Sequence, residues 1–132
     1  MNFAARSISL TIPLLALLAA PFCVPAQASD YEVGASVVCD TQGQVERFVA
    51  LFSGDNAQAA IRAVNAEEAN SHACAIMNVA YMRGTQVGMA RHGENTFEIV
   101  RILVVGVETG NCILPVRPAA YFSLFEVRVY GV

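Results

Sequence analysis

The sequence predicts an α+β domain: an N-terminal helical hairpin packed on a curved antiparallel sheet of four to five strands. Three observations predict it. Two consecutive segments, one beginning at Gln42 and one after Asp55, place apolar residues at the i, i+3, i+4, i+7 spacing of a single helical face. From Ala73 onward the apolar period becomes two, which is the period of strands. The helical and strand patterns are segregated along the chain instead of alternating, which separates α+β from a parallel α/β arrangement.

Each element has a local reason. Residues 35–39 are a short, largely β-branched run that reads as a first strand, stopped by Asp40-Thr41. Thr41 and Gln44 have capping-box spacing, so a helix starts at Gln42 and buries Val45, Phe48, Val49 and Phe52. Gly54 is its expected stop. Asp55, with Gln58 three residues on, is the expected cap of a second helix that buries Ala57, Ala60, Ile61 and Val64 and ends near Asn65. Residues 67–72 are polar and read as a loop, with Glu67-Glu68 a solvated helix end. Ala73, Ala75, Met77, Val79 and Tyr81 then alternate with Ile76, Asn78, Ala80 and Met82. Arg83-Gly84 reads as a turn, followed by a weaker strand over 85–91. A second turn falls at His92-Gly93-Glu94-Asn95 and a third at Thr109-Gly110-Asn111. Between them, residues 96–107 form the longest strand candidate, apolar on both faces and therefore central. Residues 112–116 form a short strand ended by Pro115 and Pro118, and 122–130 form the last, with Phe125, Val127 and Val129 inward.

The first 28 residues read as a secretory signal peptide. Arg6 supplies the positive region, residues 8–20 the short apolar region, and Ala26-Gln27-Ala28 the small residues before cleavage. Val24-Pro25-Ala26 also fits the small-residue rule. The apolar run is shorter than the roughly 20 residues a spanning helix needs, and it is flanked and broken by Pro13, Pro21 and Pro25. No stable membrane span is therefore expected after cleavage. The remainder, 29–132, is a single small domain, exported to the periplasm or secreted.

Composition excludes several chemistries. After residue 28 there are seven arginines against eleven carboxylates, and the arginines form no stripe, so nucleic-acid binding is disfavoured. The chain has no lysine, which removes Schiff-base chemistry and a P-loop lysine. It has no tryptophan, which weakens a stacking-based carbohydrate or single-strand binder. No serine sits in a Gly-x-Ser-x-Gly elbow, and no catalytic motif is found. His92 occupies a turn, where an exposed histidine is ordinary. Arg101 is a charge within an apolar strand face and is expected to pair with Glu98 or Glu126.

Cys39, Cys74 and Cys112 follow the signal segment and allow three single pairings. An antiparallel helical hairpin returns the chain near its origin, which favours a Cys39–Cys74 disulfide. Cys112 is then left over, as a small buried apolar residue, a free thiol or an intermolecular link. His72 and Cys74 lie two residues apart on a strand start and, with Cys112, make a weak metal-ligand set.

Val38-Cys39-Asp40-Thr41, the run Gln44-Val45-Glu46-Arg47-Phe48-Val49-Ala50-Leu51, Ala73-Cys74, and the strand Phe97-Glu98-Ile99-Val100 with Ile102-Leu103-Val104-Val105-Gly106-Val107 form a pattern. It resembles small exported proteins of Gram-negative bacteria with no assigned function. The resemblance implies that Cys39 and Cys74 are the recurring cysteines and that Cys112 is a departure; it implies no activity. The functional expectation is a small non-enzymatic domain that binds another envelope protein or an envelope component and needs no cofactor. Its interaction edge is expected on the last strand, at Phe122, Phe125, Val127 and Val129. The alternative is a periplasmic metal-binding or thiol-redox protein using Cys112 and His72.

Overall fold

The computed structural model describes residues Val24–Pro25 and 30–127. The elements run β1 (Val24–Pro25), β2 (Glu32–Cys39), α1 (Gln42–Leu51), α2 (Ala57–Glu67), β3 (Cys74–His92), β4 (Asn95–Thr109) and β5 (Cys112–Glu126). This is α+β, with all strand pairs antiparallel. The helical hairpin is not N-terminal: it follows β2 and forms the crossover from β2 to β3. The predicted signal segment lies outside the described residues apart from Val24 and Pro25, which pair with Ile113 and Cys112.

β2 pairs with β3 over its whole length, from Glu32↔Tyr81 to Cys39↔Cys74. β3 pairs with β4, and β4 with β5. β5 returns to β2 only at Val38↔Ser123 and Cys39↔Phe122. The four long strands thus close a circuit, curling the sheet into a cup with two faces and two cores. On the outer face, Val45, Phe48 and Val49 of α1 and Ala60, Ile61 and Val64 of α2 pack on Cys39, Cys74 and Ile99. These are the predicted helical faces. Inside the curl, Val38, Val79, Tyr81, Val100, Ile102 and Val104 form a second buried cluster, joined by Tyr121 and Phe125.

The helix starts follow side-chain chemistry. Thr41 accepts from the Gln44 N–H, and the Gln44 side chain accepts from the Thr41 N–H, so the capping box forms. α1 ends at Leu51, before Gly54. The cap of α2 is Asn56 and not Asp55: Asn56 Oδ1 accepts from the Ala59 N–H at 3.0 Å. α2 continues past Asn65 to Glu67, whose carboxylate receives two 2.8 Å hydrogen bonds from Arg47 of α1. That hydrogen bond holds Glu67 below the usual carboxylate range and raises the Arg47 guanidinium. Asn65 joins helix to sheet. Its Nδ2 donates to the Ser71 and Cys74 carbonyls and its Oδ1 accepts from the Cys74 N–H.

Two strand breaks expected from the sequence are absent. β3 runs through Arg83-Gly84 because irregular register at Arg83/Gln86 and Gln86/Gly88 absorbs the bend without a turn. Likewise, β5 runs through Pro115 and Pro118. Opposite Val105 its register shifts, with Gly106↔Pro115 but Val104↔Ala119, so both prolines sit at a bulge where missing N–H donors cost little. The 92–95 and 109–112 turns form as two-residue hairpin loops, the second opened by Gly110 at φ +63°. Gly106 is required for another reason: a Cβ there would collide with the Ile113 side chain.

Arg101 is exposed and does not take Glu98 or Glu126. Glu98 pairs instead with Arg83 at 2.7 Å, because Arg83 lies across the Phe125 ring, 4.2 Å from its centroid. Tyr81 stands beside Phe125, and the two rings are 5.8 Å apart. Burial first, then a hydrogen bond to Glu32, pushes the Tyr81 phenol up to about 12. The neutral phenol is therefore the folded-state form, and its contribution to stability is complete below about pH 10, the unfolded value. It is lost as pH rises from there through the folded value. Ultraviolet phenolate titration of Tyr81→Phe against the parent is expected to remove one late-titrating tyrosine near pH 12.

Candidate functional site

The cup has a closed end and an open end. Tyr81, Phe125 and the Arg83–Glu98 pair fill one end. The other opens as a cavity of about 560 Å³. Its walls are the inward side chains of the four long strands, including Val38, Ala75, Met77, Val79, Val104 and Ala119, and its polar groups are Asp40, His72, Arg117 and Tyr121. Such a volume lies within the ~300–1,000 Å³ range of ligand pockets, which are mostly apolar with a few placed polar groups.

Local structure brings these groups together. Cys39–Cys74 is a disulfide between directly opposed residues, with Cα atoms 4.1 Å apart. One residue beyond it, the Asp40 N–H donates to the Ala73 carbonyl at 2.9 Å. The staple thus places both Asp40 and His72 at the mouth, and the His72 N–H is held by Asn70 Oδ1 at 2.9 Å. Arg117 arrives from the other side on the bulged stretch of β5, which turns a side chain out of the regular alternation. Met77 and Val116, both more than a third exposed, complete the lip.

The predicted site residues are distributed differently. Cys39 and Cys74 form the predicted disulfide. Cys112 is disulfide-bonded as well, which corrects its reading as a free thiol. That expectation considered only cysteines after residue 28, whereas the described chain also carries Val24–Pro25 against Cys112 and Ile113. His72 lies at the mouth of the cup, but the Cys74 sulfur is bonded to Cys39. Among the described residues no three His, Cys, Asp or Glu side chains gather as a metal-binding group. Phe122 packs against the helix-side core and Phe125 against the inner one. Val127 is half-buried, and its N–H donates to Thr96 at 2.9 Å. Val129 lies outside the described residues.

Sequence reasoning missed Asp40, Arg117 and Tyr121 as members of one site. The available signal was Pro115 and Pro118 three apart in an otherwise strand-like run, which marks a bulge. Chemically, the cup offers apolar surface, charges of both signs and one phenol. No serine, threonine or cysteine is among its lining residues. Among the described residues no helix is long and apolar enough to cross a membrane. Comparison of the chain with protein-family models, with curated proteins and with solved structures finds no match.

Proposed function

We propose that this protein is a small exported binding domain, akin to the small exported proteins of Gram-negative bacteria that its sequence resembles. It holds an apolar group of another envelope protein or envelope component in the cup and catalyses no reaction. The observation that supports this reading is the cup itself: a 560 Å³ apolar cavity whose mouth carries Asp40, His72 and Arg117. Burying an apolar group there is favourable by about 25 cal/mol for each Å² removed from water. The charges at the mouth orient what enters. A disulfide within the helix-side core suits an oxidising compartment, and the apolar leader suits export.

The test places a photo-crosslinking amino acid at exposed Val116, on the lip, in the chain expressed in a Gram-negative host. A discrete adduct in the envelope fraction is expected, and Ala119→Trp, which fills the cup, should abolish it. If the adduct pattern at Val116 matches that of a crosslinker at Arg62 on the distant helix surface, or persists in A119W, the cup is not the binding site.

A further inference from the structure

A second surface lies where the circuit of strands fails to close. β2 and β5 pair only at Val38↔Ser123 and Cys39↔Phe122, then splay apart. The gap between them is a slot of about 330 Å³, lined by Ala35, Val37, Phe52, Phe97, Leu124 and Glu126 among others. Both of its walls are strand edges, and the direction of their peptide groups follows from the hydrogen bonds. In an antiparallel ladder, successive residues point their N–H and C=O groups to opposite sides. The Asp40 N–H points to the β3 side, where it meets Ala73. Odd-numbered residues of β2 therefore point toward β5, and the Val37 carbonyl does so, accepting the Ser123 hydroxyl at 2.7 Å. The Val127 N–H points to β4. Even-numbered residues of β5 therefore point toward β2. The peptide groups of Val33 and Ala35 on one wall, and of Leu124 and Glu126 on the other, face into the slot without a strand partner among the described residues.

We propose that this slot receives an extended segment of a partner protein as an added strand. The occupant is specified by three features. Two facing rows of peptide groups are matched by a main chain, which carries donors and acceptors along both of its edges, and not by an acyl chain or other purely apolar molecule. The apolar lining under α1 selects apolar side chains at alternate positions of that segment. Glu126, in the slot, selects a basic residue at its end. Because β2 and β5 run antiparallel, the added strand is parallel to one wall and antiparallel to the other. The Ser36 and Ser123 hydroxyls, in contact with each other at the narrow end, stop it from running further. This surface is separate from the cup and does not depend on it.

The test selects binders from a displayed library of random twelve-residue peptides on the disulfide-intact exported chain. Enriched peptides are expected to alternate apolar residues and carry Lys or Arg, and to slow amide exchange at Val33, Ala35, Leu124 and Glu126. Ala35→Pro removes one slot-facing N–H without touching the β3 ladder, and it should weaken such peptides by about tenfold, the scale of one to two hydrogen bonds. Glu126→Gln, at an exposed position, should weaken them a few-fold at low salt and keep the fold if A35P does not. The proposal is overturned if selected peptides bind A35P and E126Q as well as the parent. It is also overturned if the slot amides of the free chain are already protected, whether in a monomer through its own residues 128–132 or in a concentration-dependent dimer. Ala119→Trp should leave peptide binding unchanged, so loss of the cup and loss of the slot are read separately.

Discussion

Replacing Cys39 and Cys74 together by serine is expected to lower stability by about 4 kcal/mol, the chain-entropy value for a closed loop of this length. The bond spans 35 residues and encloses both helices. Reduced and unfolded, the loop regains its freedom; oxidised, it is constrained before folding begins. Both sulfurs are also fully buried in the helix-side core, so the serine hydroxyls enter an apolar setting and add to the cost. For a domain of this size each kcal/mol moves the melting midpoint by about 4–8 °C, so a fall of roughly 15–30 °C is expected by calorimetry. The parent in reductant should fall at least as far, because reductant also opens the Cys112 disulfide. The cup should suffer as well, because Asp40 and His72 flank the staple. A midpoint lowered by only a few degrees would mean that the Cys39↔Cys74 pairing is held by the sheet alone.

Phe48→Ala is expected to cost about 3–5 kcal/mol, the range for truncating a buried aromatic side chain. Phe48 is 4% exposed and belongs to the cluster that contains Val45, Val64, Ile99 and the disulfide. Its ring lies 5.6 Å from that of Phe52, which in turn meets His92 at the tip of the β3–β4 hairpin. The substitution therefore removes the anchor of α1 on the sheet and leaves Phe52 unsupported. It would also enlarge the apolar slot between β2 and β5, which Phe48 helps to line. Denaturant unfolding should show a lower midpoint with little change in slope. Combined with loss of the disulfide, the effects should not add, because both act on one packed cluster. An F48A protein as stable as the parent would show that the helices ride on the sheet without supporting it.

Much of the architecture is legible from local pattern. The helix faces, Val45-Phe48-Val49 and Ala60-Ile61-Val64, follow from a 3.6-residue period because only one stripe of a helix can be buried at once. The capping box at Thr41 and Gln44 is a purely local exchange of hydrogen bonds. The two hairpin turns need only a residue that tolerates positive φ, and glycine supplies it. Even the disulfide could be argued, since a helical hairpin brings its two ends together.

What local pattern misreads is the behaviour of long strands. Arg83-Gly84 and Pro115…Pro118 carry the composition of turns, and in isolation they would break a strand. In the folded chain β4 lies alongside both, and its ladder holds them as bulges. The Arg101 partner was misjudged for a related reason: Glu98 faces Arg83 only once the sheet curls around Phe125. The cup and the slot are products of that curl. Their residues come from β2, β3, β4 and β5 and from the loop before β3, at separations no sequence period relates. The helical segments, the hairpin turns and the apolar faces are legible locally, because they depend on neighbours a few residues away. Where the sheet closes, which edge stays open and which charges meet at the mouth are settled only in the folded chain, because these depend on register between strands far apart in sequence, as at Val38↔Ser123.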